Sequence, residues 1–366
     1  MLKKKVLIIY ASSGAGHYVA AQAAYDYLKD CRQELDISIV DILERTNKIF
    51  RIFYIHGYSF LVNHATIFWH FLFWITYLKL VHKLTRPILR LVNWLNARDF
   101  VTFLCKENPD FIISTHFFPS EISAGLKKKG KINSKIVTVI TDFGVHPFWV
   151  SDGIDTYIVA SKFTENKLIQ EGIAQDRIKI LGVPIHKKFF KSENRDIVYK
   201  RLGLGENEFT VLIVTGSFGI GPIEKIVDLL YKDTKLVVVC ARNKKLYTRL
   251  ERKNYDNVYV YGFVNNIDEL MTVSDIIITK PGGISIAEVL AKGLVPIFIS
   301  PIPGQETENL KAMQNYGIGI YPRRIKDIKD IVLDYKTHPQ KLDIVKENIK
   351  KLKETFLPED LCNVIC

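Results

Sequence analysis

Cysteine is scarce and scattered. The five thiols, Cys31, Cys105, Cys240, Cys362 and Cys366, form no Cys-x-x-C pair and no His/Cys group at zinc spacing. That excludes a zinc module or a disulfide framework and reads as reduced thiols of a cytosolic protein. Acid is missing from one long stretch: no Asp or Glu occurs between Arg45 and Arg98. Because the same stretch carries Arg45, Lys48, Arg51, Lys79, Lys83, Arg86, Arg90 and Arg98, eight of the twelve net positive charges are local to it. A basic block of this kind attracts an anionic surface. A membrane-spanning run is also lacking, since Asn63, His64 and His70 interrupt the apolar residues between Ile52 and Thr76, where lipid would leave them unpaired. The opening Met1–Tyr10 run gives way after about six apolar residues to a Gly-rich turn, too short for a signal-peptide core, and reads as a buried first strand.

What is present suits a globular chain of about two domains: 366 residues, 48% of them hydrophobic. Two segments look alike, Lys5-Val-Leu-Ile-Ile-Tyr-Ala-Ser-Ser-Gly-Ala-Gly16 and Thr210-Val-Leu-Ile-Val-Thr-Gly-Ser-Phe-Gly-Ile-Gly221. Each is a β-branched run, a Gly/Ser turn and then helical periodicity, the opening of a parallel αβ domain. Apolar runs near 36–40, 110–114, 135–140 and 155–159 follow the first, and runs near 234–239, 257–261, 275–279 and 295–299 follow the second, alternating with helical stretches. The pattern predicts two parallel sheets covered on both faces. The polar stretch 187–207 is expected to be the linker, giving an N-terminal domain over 1–190 and a C-terminal domain over 191–366, its last helix crossing back. Ligands of such sheets sit beyond the carboxyl ends of the strands, so a cleft between the domains is expected.

Residues 50–98 fit neither unit. Trp69 and Trp74 stand among phenylalanines, and Ile75, Leu78, Val81, Leu84, Ile88, Leu91 and Leu95 then recur at steps of three and four. Lys79, Lys83, Arg86 and Arg90 fall on another face. This is an amphipathic basic helix, kinked or interrupted at Pro87, that suits a bilayer surface; a helical pair with a solvated basic face is the alternative. Nucleic acid is disfavoured, because the cations accompany an apolar face rather than a polar groove.

Chemistry concentrates at four turns. In Ser12-Ser13-Gly14-Ala15-Gly16-His17 the third small position of a dinucleotide fingerprint is Val19, which argues against a nicotinamide cofactor despite Asp41 at the end of the next strand. His17 at a helix start is disfavoured as imidazolium and can accept a proton, or it simply caps the turn. Asp142, His146 and Trp149 follow the strand ending at Ile140; Asp142 can orient or deprotonate an acceptor hydroxyl, or close the loop while Trp149 packs. Gly216, Ser217 and Gly219 precede a helix and offer free N–H groups to an anion. Lys280-Pro281-Gly282-Gly283-Ile284-Ser285 lets backbone approach a pyrophosphate, and Glu288 one turn on can accept from two ribose hydroxyls. Gln305 and Glu306 in Pro301-Ile302-Pro303-Gly304-Gln305-Glu306 can read sugar hydroxyls.

With Gly182-Val-Pro-Ile185, these segments resemble the diacylglycerol glycosyltransferase family, that is monogalactosyldiacylglycerol synthases and processive diacylglycerol glucosyltransferases, relatives of the peptidoglycan N-acetylglucosaminyltransferase. The resemblance implies an α/β GT-B fold of two Rossmann-like domains facing across a cleft, an inverting transfer of a hexose from a UDP-sugar to diacylglycerol, and no metal or other cofactor. Glucose is favoured over galactose on composition. By the same resemblance, backbone near Phe263 and Val264 holds uracil, Ser217, Gly219 and Gly283 the pyrophosphate, Glu288 the ribose, and Gln305 and Glu306 the hexose. His17 or Asp142 is the base, with Gly14, Gly16, His146 and Trp149 around the acceptor. Trp69, Trp74, Lys79, Lys83, Arg86 and Arg90 would hold the protein, cytoplasmic and peripheral, against the inner face of an anionic membrane. The alternatives are an N-acetylglucosamine transferase acting on a polyprenyl-linked precursor, a UDP-sugar 2-epimerase and a non-catalytic UDP-sugar sensor.

Overall fold

The computed structural model describes residues 3–57, 60–62 and 65–365, without the side chains of Lys79 and Leu80. Two compact units emerge: Met1–His186 with Ile302–Asn309 and Thr355–Cys366, and Lys187–Pro301 with Leu310–Glu354.

In the first unit, β1 (Lys5–Tyr10), β2 (Asp36–Asp41), β3 (Phe111–Ser114), β4 (Lys135–Val139), β5 (Thr156–Val159) and β6 (Ile178–Ile180) form one parallel sheet in the order β2-β1-β3-β4-β5-β6. Successive side chains alternate faces, so each strand feeds two cores. Val6, Ile8, Ile113, Val137 and Ile158 pack under Ala21, Ala24 and Leu28 of the helix Ala15–Cys31. Leu7, Ile9, Ile112, Ile136 and Tyr157 pack under Phe100, Leu104, Phe118 and Ile122 of the helices Arg98–Glu107 and Phe117–Lys128. Strand order reverses between β1 and β3, and that reversal brings the loops after these two strands side by side.

The second unit repeats the plan with β7 (Thr210–Val214), β8 (Lys235–Val239), β9 (Val258–Tyr261), β10 (Ile276–Thr279) and β11 (Val295–Phe298), parallel in the order β11-β10-β7-β8-β9. Here the reversal lies between β7 and β10. The Gly-rich turns after these two strands therefore share one end of the sheet.

Two expectations are corrected. Residues 187–207 are not a bare linker, because the helix Arg195–Leu202 lies within them, started by the Asn194 side chain, which accepts from the Asp196 and Ile197 N–H groups, and seated by buried Val198 and Tyr199. Nor are all the cysteines free: Leu361, Cys362 and Ile365 fold back onto the first unit's core, and Cys362 forms a disulfide with Cys31. Cys105 and Cys240 are free thiols, while Cys366, like Asn63 and His64, lies outside the described residues.

Candidate active site

His17 stands in the first turn of the helix Ala15–Cys31, behind the Gly14 N-cap, where no side chain caps the helix. Its Nδ1 lies 2.7 Å from the Thr115 carbonyl oxygen and 3.2 Å from Thr141 Oγ1. A carbonyl only accepts, so Nδ1 carries the hydrogen and Nε2 of the neutral ring keeps its lone pair. No hydrogen bond occupies that Nε2 among the described residues. Burial holds His17 below the usual imidazole range, partly offset by the Asp142 carboxylate and the Thr115 carbonyl.

Behind it stands His116, which composition and motif reading overlooked. Phe118 N–H donates to its Nδ1 at 3.0 Å, leaving Nε2–H for Ser13 Oγ at 3.5 Å. The two imidazoles meet edge-on with ring centres 4.5 Å apart. Burial, and then the neighbouring His17, hold His116 well below the usual range, so the pair stays uncharged near neutrality. The only hint in the sequence is a histidine two residues after the β3 run, and its value depends on β3 lying beside β1.

Asp142 follows β4, with its carboxyl pushed up by burial and pulled back by Asn309 and His17. Asn309 Nδ2 donates to Asp142 Oδ1 at 2.9 Å, while its Oδ1 accepts from Phe143 N–H at 2.7 Å and Gly144 N–H at 3.1 Å. Asp41 spends itself locally, accepting from Ser12 and Leu43 N–H groups.

His146 and Trp149, expected around the acceptor, are each engaged by neighbouring residues. Phe148 N–H donates to His146 Nδ1 at 3.2 Å, and its Nε2–H donates to Thr76 Oγ1 at 3.0 Å, so both nitrogens are used. Buried among Phe73 and Tyr77, its imidazole is pushed down to about 3. It docks the end of the helix Thr66–Ile75. Trp149, 4% exposed, packs behind His17 and His116 with ring centres 6.3 and 6.4 Å away. Gly14 is exposed and Gly16 half-buried.

The helix Lys79–Asn96 runs through Pro87 without ending. Arg86 turns inward and Arg90, its side chain 46% exposed, reaches the same carboxylate: their Nε atoms lie 3.4 and 2.9 Å from Glu121 Oε1, and Arg86 also donates to the Val150 carbonyl and to Ser151 Oγ. The apolar stripe turns outward, with Leu84 and Ile88 64% exposed, Leu91 56% and Leu95 42%. Trp69 donates from Nε1 to the Pro303 carbonyl at 3.0 Å, and Phe73 packs on Gly304, where a Cβ would lie 2.4 Å from the ring. Trp74 is half-buried, Lys83 is exposed, and the Lys79 side chain lies outside the described residues. Among the described residues no helix is long and apolar enough to cross a membrane.

In the second unit three loops converge. Gly219 has φ +59° and an added Cβ would lie 2.2 Å from the Cys240 carbonyl oxygen, so only glycine lets the β7 turn lie on the β8 loop. Arg242 N–H donates to the Ser217 carbonyl, and the Arg242 guanidinium lies 5.9 Å from each of the Phe218 and Phe263 rings. Val264 is half-buried beside exposed Phe263. After β10, Gly282 caps the helix Gly283–Lys292 with no side-chain hydrogen bond, leaving its first N–H groups free of side chains. Half-buried Lys280, Ile284 and Ser285 line this turn. Glu288 lies further along the same helix, and burial pushes its carboxyl up to about 8, moderated by Lys188 and reinforced by Asp268.

Gln305 and Glu306 belong to the first unit, not to the body that carries Glu288. Glu306 is buried and its Oε2 accepts from Ile302 N–H at 2.7 Å, so that oxygen closes the turn. No group of three or more His, Cys, Asp or Glu side chains able to hold a metal ion occurs among the described residues.

The family model described as monogalactosyldiacylglycerol (MGDG) synthase matches residues 17–185, and that of the glycosyltransferase family 28 C-terminal domain matches residues 210–352. The processive diacylglycerol beta-glucosyltransferase of Bacillus pumilus (strain SAFR-032) is 31% identical over 95% of this chain and 91% of its own length. That of Bacillus subtilis (strain 168) is 30% identical over the same shares. This chain belongs to the diacylglycerol glucosyltransferase family. Within that family assignment, the first match contains His17, His116 and Asp142, and the second contains Gly216, Gly283 and Glu288. Among solved structures, Acinetobacter baumannii MurG (TM-score 0.58, 13% identity) and the UDP-glucose complex of Anabaena Alr3699/HepE (0.58, 14%) each cover 99% of this chain and 98% of their own. The fold of this glucosyltransferase-family chain is thus GT-B, two Rossmann-like domains, as the sequence led us to expect.

Proposed function

We propose that the protein is an inverting transferase that moves glucose from UDP-glucose to the hydroxyl of diacylglycerol. The observation that carries this reading is the likeness to processive diacylglycerol beta-glucosyltransferases along nearly the whole chain. The geometry supports a route for the proton. His17 Nε2 takes it from the lipid hydroxyl as that oxygen attacks the anomeric carbon, the bond from that carbon to UDP breaks, and the electron pair leaves with UDP. Asp142 stabilises the imidazolium that forms. Charge growing on UDP meets the N-terminus of the helix Gly283–Lys292 and the amides of the Gly216–Gly221 turn. Glu288 accepts from the ribose hydroxyls, Phe263 and Val264 border the uracil, and Gln305 and Glu306 read the hexose.

The outward apolar face of the helix Lys79–Asn96 supports a peripheral position on the inner, cytoplasmic face of the membrane, where diacylglycerol is concentrated. Incubating the protein with UDP-glucose and vesicles of phosphatidylglycerol with diacylglycerol, followed by lipid mass spectrometry, tests the reading. Glucosyldiacylglycerol is the expected product. Transfer only to a polyprenyl-linked acceptor, an epimerised sugar without any acceptor, or UDP-glucose binding without turnover would each overturn it.

A further inference from the structure

We infer that Asn309 is a positioning residue of the transfer reaction, fixing the aim and the proton-accepting form of Asp142 and joining both to the turn that starts with Gln305 and Glu306. The inference rests on the assignment of His17 and Asp142 to the acceptor proton.

Asn309 has no exposed surface. An amide buried without partners is costly, so a silent asparagine is not expected here. Its carbonyl oxygen accepts from two successive backbone N–H groups, at 2.7 Å from Phe143 and 3.1 Å from Gly144, and its amide nitrogen faces Asp142 Oδ1 at 2.9 Å. The orientation is forced. A flipped amide would aim its NH2 at two N–H groups and its oxygen at a carboxylate. Leucine satisfies neither side, and aspartate satisfies only the loop.

Both edges of the loop are held. Thr164 Oγ1 donates to the Phe143 carbonyl at 2.8 Å, and a Cβ on Gly144 would lie 2.4 Å from the Glu308 Cβ, so helix and loop touch through backbone. The Asp142 side chain can therefore shift only if Asn309 shifts. Because Oδ1 accepts from an N–H donor, the bond favours the ionised form that stabilises an imidazolium at His17. The other titratable groups facing Asp142 are His17, on the helix Ala15–Cys31, and Tyr77, which Glu308 also faces.

Asn309 lies one helical turn after Gln305 in the helix Gln305–Asn315, whose preceding turn is closed by Glu306. A sugar engaged by Gln305 and Glu306 thus pulls on the same rigid piece that aims the carboxylate.

Asn309→Asp tests this, since it keeps both loop bonds and replaces the donor with an acceptor. We expect turnover to fall about 10- to 100-fold with KM for UDP-glucose within about twofold. The acid limb of the kcat/KM profile should move up by about one pH unit or more, and the Asp142 side-chain carbon signal, assigned through Asp142→Asn, should titrate at correspondingly higher pH. An unmoved Asp142 titration would overturn the inference. Absence of glucose transfer by the wild type would instead overturn the function. Should Asn309→Asp fold poorly, the exchanged pair Asp142→Asn with Asn309→Asp restores one donor facing one acceptor, and its melting temperature should recover while turnover does not. Failure of the exchange to restore stability would refute the contact itself.

Discussion

Replacing Leu84, Ile88, Leu91 and Leu95 together by serine should release the protein from lipid without unfolding it. These four expose 64, 64, 56 and 42% of their surface, a little more than two whole aliphatic side chains. Burying one such side chain gains about 1.5–3 kcal/mol, so full insertion corresponds to roughly 3–6 kcal/mol. At about 1.4 kcal/mol per tenfold, even half of that weakens partitioning by roughly 10- to 100-fold. Flotation with phosphatidylglycerol and diacylglycerol vesicles measures the change. Surface substitutions of this kind shift stability by only about 0.5 kcal/mol each, so the melting temperature should stay near wild type. Salt provides the contrast. Arg86 and Arg90 are both paired with Glu121, although Arg90 stays 46% exposed, so binding should fall only modestly between about 0.1 and 0.5 M salt. Arg86→Gln should lower stability, by leaving the 13%-exposed Glu121 side chain short of a partner, more than it lowers flotation. Undiminished flotation of the serine variant, or wild-type binding that collapses in salt, would refute the reasoning.

The remaining outcomes concern the chemistry at Glu288 and His17. Burial pushes the Glu288 carboxyl up to about 8, so the empty site is largely protonated at neutral pH, whereas ribose hydroxyls donating to it favour the carboxylate. UDP-glucose affinity measured by calorimetry should therefore rise with pH up to about 8, with proton release, and an affinity independent of pH between about 6 and 9 would remove the ribose role. Since a raised carboxyl opposes folding increasingly as pH climbs through its unfolded value toward 8, Glu288→Gln should raise the melting temperature at pH 8 but not at about pH 4, while abolishing donor binding. His17→Ala should cut turnover by about 10²- to 10⁴-fold with donor affinity unchanged, and wild-type turnover in that variant would dismiss it as the base. Burial already holds His17 below the usual imidazole range, so the wild-type acid limb should lie below that range too.

Strand, Gly-rich turn and helix were legible at both domain openings because each is a local pattern, a β-branched run followed by residues that only tight turns require. His17, Gly216 and Glu288 inherit their positions from that pattern. Asn309 and His116 do not. Asn309 reaches Asp142 across 167 residues, and nothing in Glu-Thr-Glu-Asn announces that its amide will find a carboxylate on one side and two N–H groups on the other. His116 meets His17 only because strand order reverses between β1 and β3, a topological fact that periodicity does not carry. The three-residue β6 (Ile178–Ile180) was too short to register as a strand at all.

Periodicity told us that the helix Lys79–Asn96 has two faces, but not which face points outward. On a soluble domain the apolar face ordinarily seeks the core, and the inversion is decided by Glu121, an acid 31 and 35 residues away that holds both arginines from the helix Phe117–Lys128. Together with the proposed lipid contact, the inversion also bears on the missing acids between Lys79 and Asn96. An Asp or Glu on the inward face of this helix would lie beside Glu121 and compete for the same guanidinium groups. On the outward face it would have to be desolvated whenever that face is covered by lipid, at about 2.5–3.5 kcal/mol for aspartate at full depth and less near the surface. With lipid on the outward face, as proposed, neither face of this helix would favour a carboxylate, and a serine or glutamine carries neither penalty. The absence of acid is therefore a property of charge and not of polarity in general, which is why Thr85 and Asn93 stand in the helix while Asp and Glu do not.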